Sequence, residues 1–441
     1  MTFKKVNYQY FERVAEYGLY IFVFLLPLQT RWMAVLGKLN DGYWEYGTIS
    51  LYATDILLIV LLFCCFFVLS RKDCRISRIW WLVGILKLAV FISIFFAFDW
   101  KLALYGWGRF LLGIGLFFLL THIKYDRVKL YWSLIFAGVA QSLLALQQFF
   151  TQNVFASKWL GVASQRASDL GVSVVAAGSE RFLRTYGSLP HPNILGGFLA
   201  IVLLVNIILY FELHNRDKYL VSGIKYKASL LLCLVIFVIN FVGLLLTFSR
   251  AAALGFLAGF IVLLLHCFIV SRSKEAIFAL AKFVIIIAIA GGIFVGLFKG
   301  PVAGRLNANS RLEAKSITER TAYTQEAWQI IKNHRLFGAG VKNYGLAVYN
   351  EIDGTLSAYE YQPVHNVFLL VWAEIGVVGF LLFIAPLLHC YIANWRRRNL
   401  ETLALLVALI VLMCFDHWLW SLAFGVYLFW GVIGLSIKRL C

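Results

Sequence analysis

The sequence predicts an all-α fold, a polytopic bundle of about twelve membrane-spanning helices that forms a single integral membrane domain over residues 1–441. Of the 441 residues, 61% are hydrophobic and only 14% are charged, whereas about one quarter of the residues in a soluble domain are charged. The mean hydropathy is high, at +0.81. Apolar runs recur at the length of about 20 residues that an α-helix needs to cross a bilayer.

Twelve apolar runs are the predicted spanning helices. They lie at residues 15–30, 51–70, 79–97, 102–120, 131–150, 193–211, 229–246, 250–270, 281–298, 365–388, 401–415 and 418–437. The first run follows a long polar N-terminus without a signal-peptide cleavage site, so we expect it to span the membrane. Only a short link around Asp416-His417 separates the last two runs, and their boundary is the least distinct.

The distribution of lysine and arginine predicts the orientation. Both termini and every second link are basic, and they hold Lys4, Lys5, Arg13, Arg71, Lys72, Arg75, Arg78, Lys124, Arg127, Lys129, Arg216, Lys218, Lys225, Lys227, Arg272, Lys274, Lys282, Arg396, Arg397, Arg398, Lys438 and Arg439. Because short cytoplasmic loops retain positive charge, both termini are predicted to be cytoplasmic. The same rule explains the net charge of +18, and no basic patch with interleaved aromatic residues predicts a nucleic-acid partner.

Two long links, residues 151–192 and 299–364, are predicted to lie on the opposite, outer side. The second is the large extracytoplasmic loop, in which Arg311 to His334 have the spacing of an amphipathic helix. Its predicted apolar members are Leu312, Ile317, Tyr323, Ala327, Trp328 and Ile331. Both links are rich in lysine and arginine, which indicates either a surface for an anionic substrate or ordinary solvated charge beside acidic lipid headgroups.

Three polar clusters lie where apolar runs begin on that outer side: His191-Pro192-Asn193, Thr247-Phe248-Ser249-Arg250 and Pro363-Val364-His365-Asn366. A helix N-terminus carries free N–H groups and a partial positive charge, and phosphate is its natural ligand. Asn193 or Ser249 could cap its own helix. For the His-Pro-Asn cluster, the alternative is simply a cap and a turn.

Charged and histidine side chains near these helix starts are the candidates for chemistry. Arg250 lies in a tight hairpin and either binds phosphate through two N–H groups or reaches the headgroups as a snorkelling side chain. Arg109 lies about two turns into the fourth run and could reach the same cavity. His365, at the outer end of its run, either accepts a proton from a hydroxyl or is a headgroup-level histidine.

Glu374 shares the tenth run with His365, but the two cannot form a direct acid–base pair. Nine residues separate them, which places them on opposite sides of a helix and about 13 Å apart along its axis. Glu374 is either a functional group or the buried partner of a basic residue. The other histidines, His122, His214, His266, His334, His389 and His417, have no metal-ligand spacing, so no metal site is predicted.

The ordered set of motifs resembles the O-antigen ligase and polymerase family (Wzy_C-type). The resemblance rests on Arg184 through Gly197, on Thr247 to Arg250 with Ala251 to Gly255, on Arg320, Trp328 and Phe337 to Gly340, and on His365-Asn366 with Glu374 to Gly379. It covers about residues 184–388, which would be the ligase-like core. One departure is Ala251, where that family often has glycine.

The resemblance implies a GT-C-like membrane glycosyltransferase. Such an enzyme transfers a glycan from undecaprenyl pyrophosphate to an acceptor hydroxyl on the outer face of the bacterial inner membrane. The acceptor would be a lipid A core sugar, a growing polysaccharide or a protein. The chemistry would be inverting, with no metal or other cofactor.

The resemblance also implies roles for particular residues. His365, Arg250 and Arg320 would be catalytic, with His365 as the base and the arginines facing the pyrophosphate. Arg184, His191, Asn193, Ser249, Asn366 and Glu374 would bind substrate, and Arg109 is predicted to join them from its depth in the fourth run rather than from the resemblance.

A competing hypothesis is a secondary transporter of an anionic solute, because twelve helices with both termini inside is a common transporter plan. Transporters usually show internal repeats and helices broken near the middle of the membrane. The polar motifs of this chain lie at the outer surface instead, which favours chemistry at that surface. A scaffold for envelope glycan assembly would leave the arginine and histidine positions unexplained.

Overall fold

The computed structural model describes residues 2–69, 77–177, 180–216, 224–307 and 311–437. Several basic residues of the predicted cytoplasmic links and C-terminus, namely Arg71, Lys72, Arg75, Lys218, Lys438 and Arg439, lie outside the described residues. The fold is all-α, as predicted, and small hairpins occupy the links.

The helices are α1 (Thr2–Leu25), α2 (Ala53–Leu69), α3 (Arg78–Ile92), α4 (Trp100–His122), α5 (Arg127–Thr151), α6 (Pro192–Arg216), α7 (Ile224–Leu246), α8 (Arg250–Leu265), α9 (Lys274–Leu297), α10 (Lys299–Leu306), α11 (Arg311–Asn333), α12 (Tyr344–Glu351), α13 (Val367–Arg396), α14 (Leu400–Phe415), α15 (Trp418–Ser421) and α16 (Ala423–Leu435). A 3₁₀ turn, Ser93–Phe96, extends α3, and a π-helical turn, His266–Ser271, extends α8.

Eight of the described helices are long and apolar enough to cross a membrane: α4, α5, α6, α7, α8, α9, α13, and α3 with its 3₁₀ extension. Three shorter apolar helices, at Ala53–Val68, Leu400–Phe415 and Ala423–Leu435, occupy other predicted runs. The predicted total of twelve therefore stays a prediction. The last run was wrong as a continuous helix, because extended backbone at Leu422 separates α15 from α16.

Within the described residues, four two-stranded antiparallel sheets lie in the links. β1 (Arg31–Val35) pairs with β4 (Ile49–Tyr52), and β2 (Lys38–Leu39) pairs with β3 (Gly42–Tyr43). In the next long link, β5 (Asn153–Val154) pairs with β6 (Gln165–Arg166), and β7 (Val174–Ala177) pairs with β8 (Glu180–Leu183). These short hairpins fix the shape of the links between α1 and α2 and between α5 and α6.

Helix α6 is the centre of the bundle. Its residues 192–211 are all buried, as expected for a helix that is hydrophobic on all sides. Helices α5, α7, α8 and α14 pack around it. The starts of α6, α8 and α13 meet the ends of α7 and α14 at one end of the bundle, which also carries the links 152–191 and 298–366. We call this the loop end. The three polar clusters therefore do lie together.

Helix α13 is broken at Gly376, whose φ of 69° lies in the left-handed region. The segment 335–340 crosses the helix at the break. There the amides of Ala339 and Gly340 donate to the carbonyls of Ala373 and Glu374, both at 2.9 Å. Backbone groups released by a helix break must find partners inside the protein, and this crossing segment supplies them.

The predicted amphipathic helix is confirmed as α11, but its buried face differs from the prediction. Ala327, Ile330 and Ile331 are buried. Ile317 and Trp328, predicted to be on the apolar face, are 47% and 43% exposed. The difference arises because the first half of α11 is held by a buried carboxylate, Glu313, rather than by apolar contacts.

We expect Gly376→Ala to destabilise the protein strongly. A Cβ at this position would overlap the Leu336 carbonyl and impose a left-handed φ on a residue with a side chain, at a cost of at least about 1–3 kcal/mol. The measurement is the thermal unfolding temperature in detergent. Gly292→Ala is the matched control, because a Cβ there meets nothing within 4 Å. Equal unfolding temperatures for the two variants would contradict the crossing described above.

Candidate functional site at the loop end

The carboxylate of Asp416 is the centre of the site. Asp416 lies between α14 and α15 and is buried. Its Oδ2 accepts from Asn193 Nδ2 at 3.3 Å, and its Oδ1 accepts from the backbone N–H of His417 at 2.8 Å. The Nδ1 of His365 lies 3.3 Å from the same Oδ1. One side chain thus connects the start of α6, the start of α13 and the end of α14.

Asp416 determines which nitrogen of His365 carries the proton. Burial opposes ionisation of Asp416, but the favourable interactions around it, first among them the hydrogen bond from His365, hold the pKa of this carboxyl below its usual value. An ionised carboxylate only accepts hydrogen bonds, so Nδ1 of His365 is the donor. Its Nε2 is left as an acceptor and bonds to no other described residue. The His365 ring is partly exposed.

His417 is the second histidine beside Asp416, and its ring lies 5.1 Å from that of His365. Its Nδ1 lies 2.7 Å from Ser421 Oγ, and its Nε2 lies 3.3 Å from the hydroxyl of Tyr46. Burial lowers the pKa of His417 to about 3. His417 is therefore a neutral ring that joins Asp416 to the Tyr46 side of the loop end.

His191 caps helix α6. Its Nδ1 accepts from the backbone N–H of Asn193 at 3.1 Å, so its Nε2 carries the proton and bonds to Ser173 Oγ at 2.9 Å. Burial lowers the pKa of His191 to about 3, and Arg184 adds to the shift. The expectation that Asn193 caps this helix was wrong, because the Asn193 side chain is used by Arg184 and Asp416. Both ring nitrogens of His191 have partners inside the protein.

Arg184 holds the α6 start against the α7–α8 hairpin. Its Nε donates to the Thr247 carbonyl at 2.8 Å, and its NH2 donates to Asn193 Oδ1 at 2.6 Å. The side chain is buried, and burial together with the charges of Arg305 and Arg320 lowers its pKa below the usual value. A continuous set of hydrogen bonds therefore runs from Arg184 through Asn193 to Asp416.

Arg250 is the first residue of α8 and forms an ion pair with Glu313 of α11 at 2.6 Å. Arg305 of α10 binds the other oxygen of the same carboxylate and donates to the Phe248 carbonyl at 3.1 Å. Arg250 remains 40% exposed at its side chain. One buried carboxylate thus fastens the large loop to the α8 start and holds two guanidinium groups side by side.

Arg320 lies two turns after Glu313 on α11. It is close enough to lower the pKa of both Arg184 and Arg305. Its side chain forms no hydrogen bond or ion pair with another described residue. We call Arg184, Arg250, Arg305 and Arg320 the cation cluster. With Glu313 these groups carry a net charge of three positive. Such an excess in a partly buried place favours an anionic ligand.

Ser249 and Asn366 are two further helix caps of this site. Ser249 Oγ accepts from Ala252 N at 3.3 Å at the start of α8, as predicted. Asn366 Oδ1 accepts from Leu369 N at 3.1 Å at the start of α13, and its Nδ2 donates to the Cys414 carbonyl. Both side chains fix the direction of the helix start that carries Arg250 or His365.

Arg109 and Glu374 lie on the other side of the loop end. Arg109 is buried against Asp55 of α2 in an ion pair of 2.5 Å, so it faces a carboxylate rather than the cation cluster. Glu374 accepts from Trp420 Nε1 at 2.7 Å, and Lys342 lies near enough for the two charges to interact. As expected, Glu374 does not pair with His365. Arg109 and Lys342 both line one cleft.

The fold brings together three potential metal ligands that the sequence spacing did not reveal. Ligand atoms of His365, Asp416 and His417 lie within 4.8 Å of one another. The same atoms are hydrogen-bonded inside the protein: Asp416 to the His417 amide and His365, and His417 to Tyr46. These hydrogen bonds are enough to explain why the three side chains lie close together.

Sequence analysis missed Asp416, His417, Arg305 and Glu313. A signal was present for the first two: they interrupt apolar residues on the side of the membrane where the polar clusters were predicted. Arg305 and Glu313 had no such signal, because many charged residues share the large loop.

The fold and the site define a class: a polytopic membrane protein with a cationic, histidine-containing site where several helices begin. Residues 234–384 match the profile of a family described as O-antigen ligase. This part of the chain is therefore an O-antigen ligase-family domain, which confirms the resemblance over those residues. A comparison with curated proteins found no match. The matched range contains Arg250, Glu313, Arg320 and His365.

We expect acid to destabilise the protein through His417. Its folded pKa of about 3 lies below the unfolded value of about 6.5, so below that pH the unfolded chain binds a proton that the folded protein does not. The contribution of His417 to the free energy of unfolding is full above about pH 6.5. It falls by up to about 1.4 kcal/mol per pH unit as the pH drops towards 3. The measurement is the unfolding temperature between about pH 7.5 and 4.5. The unfolding temperature of His417→Gln should fall less on acidification than that of the wild type. Equal decreases in the two proteins would contradict a lowered pKa of His417 in the folded protein.

Proposed function

We propose that this protein transfers a glycan from undecaprenyl pyrophosphate to an acceptor hydroxyl on the outer face of the bacterial inner membrane. The loop end would face outward, and both termini would be cytoplasmic. The observation that carries the proposal is the position of His365, a histidine with a free Nε2, in the same site as a cluster of arginines with excess positive charge. The family match over residues 234–384 supports glycosyl transfer of the ligase or polymerase type.

The cation cluster would bind the pyrophosphate. The Arg250 side chain is 40% exposed although its NH1 and NH2 bond to the Arg305 carbonyl and to Glu313, and Arg320 has no partner among the described residues. Guanidinium groups bind phosphate oxygens through two parallel N–H bonds. They also stabilise the charge that grows on the pyrophosphate as the sugar leaves. Arg184 and Arg305, which are tied to the protein by their own hydrogen bonds, would raise the positive potential.

His365 would act as the general base. Its Nε2 accepts the proton of the acceptor hydroxyl while that oxygen attacks the anomeric carbon of the donor sugar. The bond from this carbon to the pyrophosphate breaks, and its electron pair leaves with undecaprenyl pyrophosphate. Attack from the face opposite the leaving group inverts the anomeric centre. Asp416 would hold the ring in the required tautomer and stabilise the imidazolium, the role that a carboxylate has beside a catalytic histidine.

We also propose that the reaction needs no metal. The guanidinium groups supply the positive charge that a divalent cation provides in other phosphate chemistry. A chelator should therefore leave the rate unchanged.

The transporter hypothesis has less support. Helix α13 is broken at Gly376, which is a transporter feature. However, the family match concerns O-antigen ligases. A passage for a solute would not explain why a histidine base is held beside arginines at one end of the bundle.

The test is glycan transfer by the purified protein, with an undecaprenyl-pyrophosphate glycan and candidate acceptors. Arg250→Ala, Arg320→Ala and His365→Ala should each fold and lose at least about 100-fold in kcat, the size usual for a lost base or charge-stabilising donor. Arg311→Ala, on the same helix as Arg320, and His334→Ala are the matched controls. Both should keep wild-type transfer.

The products separate the subclasses of the reaction. A ladder of glycan lengths indicates a polymerase, and a single addition indicates a ligase. Wild-type transfer in both the Arg250 and His365 variants would contradict the mechanism, as would dependence on an added metal.

A further inference from the structure

A cleft lies beside the Asp416 group, and none of the residues of the cation cluster is among those that line it. Two of its lining residues contact His417: the hydroxyl of Tyr46 lies 3.3 Å from His417 Nε2, and Ser421 Oγ lies 2.7 Å from His417 Nδ1. His417 in turn lies against His365. The cleft therefore borders His417, the residue that lies against His365.

Lys342 supplies a cation without a carboxylate partner to this cleft. Within the described ranges, its one hydrogen bond runs from Nζ to the Tyr46 carbonyl at 3.4 Å, and no acidic side chain forms an ion pair with it. Burial lowers the pKa of Lys342 to about 8, while the charge of Glu374 opposes the shift. The ammonium group is thus mostly charged at neutral pH and has donors to spare.

The position of Lys342 is built by its neighbours. Its φ of 63° is a left-handed conformation, held between the crossing segment at Gly340 and the start of α12. Its aliphatic stem lies on Gly106 of α4, where a Cβ would come within 3.1 Å of the Lys342 Cγ. A left-handed backbone is unfavourable for a residue with a side chain. The surrounding structure therefore holds Lys342 in this position despite the conformational free energy that it costs.

The other cations of the cleft are already neutralised. Arg31 binds both oxygens of Glu45, and Arg109 binds Asp55. Lys342 is therefore the lining cation, among the described residues, that is available to a ligand. The remaining lining is largely aromatic and includes Tyr46, Tyr105 and Trp420. Aromatic walls with a few polar groups are typical of small-molecule sites.

We propose that this cleft binds the acceptor sugar and that Lys342 binds an anionic substituent on it, a phosphate or a carboxylate. The inference rests on the proposed function, because it assigns the acceptor to that reaction. It places the acceptor and the pyrophosphate on different sides of the Asp416 group, so that the anomeric carbon of the donor would lie between the attacking hydroxyl, next to His365, and the leaving pyrophosphate. The aromatic residues would pack on the apolar face of the sugar ring.

Direct binding tests the cleft without any need for transfer. The probes are glucose 6-phosphate, glucuronate, glucose and inorganic phosphate, titrated into the purified protein by calorimetry. We expect one or both of the charged sugars to bind more tightly than glucose and than inorganic phosphate. Which of the two binds distinguishes a phosphate from a carboxylate substituent. Binding of inorganic phosphate as tight as that of both charged sugars would overturn the sugar site.

Variants assign the site to Lys342. Lys342→Met should weaken binding by at least about tenfold, the usual loss for a charge-assisted hydrogen bond, and Lys342→Arg should restore part of it. Gly106→Ala is a second variant, which should also weaken binding because it displaces the lysine stem. Lys101→Met, an exposed lysine on the same helix as Gly106, is the control and should bind as the wild type does.

Transfer kinetics separate the two proposals. Lys342→Met should raise the KM for an anionic acceptor and leave kcat within about twofold. An unchanged KM together with unchanged binding overturns the acceptor site but leaves the transferase intact. Saturable binding that depends on Lys342, in a protein that transfers no glycan, would instead contradict the proposed function.

Discussion

The buried carboxylate of Asp416 is the constraint on which the loop end depends. Three separate elements donate hydrogen bonds to it: the start of α6 through Asn193, the start of α13 through His365, and the α14–α15 link through the His417 amide. Removal of such an acceptor would leave several buried donors without partners, at about 1–3 kcal/mol each. The price of burying the charge is met by donors from each of these three elements.

A second carboxylate has an equivalent role for the large loop. Glu313 binds Arg250 and Arg305, and this joins α10 and α11 to the start of α8. The large loop is therefore fixed to the helix bundle by these ion pairs. The two carboxylates divide the loop end into a cationic part, which holds Arg250 and Arg320, and a histidine part, which holds His365. Asn193 connects them, because its amide bonds to Arg184 and to Asp416.

Much of the fold could be predicted from the sequence, because the length and composition of apolar runs are local properties. The starts of α6, α8 and α13 fall within two residues of the predicted runs. The capping role of Ser249 follows from local chemistry in the same way, whereas the cap formed by Asn366 was not predicted. Gly376 was different: a single glycine in an apolar helix is common, and the break appears only with the segment 335–340 that crosses it.

The site was predictable in part for the same reason. His365, Arg250 and Arg320 lie beside motifs with a recognisable order, whereas the pairings that orient them are long-range. Asp416 meets His365 across 51 positions, and Glu313 meets Arg250 across 63. Arg109 illustrates the limit: its depth in α4 was clear, but its partner Asp55 lies on another helix. No local pattern specifies such a pair.

The central claim is that Asp416 leaves Nε2 of His365 free to accept a proton. Solid-state NMR of protein with ¹⁵N-labelled histidine, in bilayers at neutral pH, tests it directly, with His365→Gln to assign the signals. The account predicts that His365 carries its proton on Nδ1, bonded to Asp416, and that Nε2 is unprotonated. It also predicts that Asp416→Asn loses this preference. A His365 ring that is protonated at Nε2 in the wild type would contradict the account.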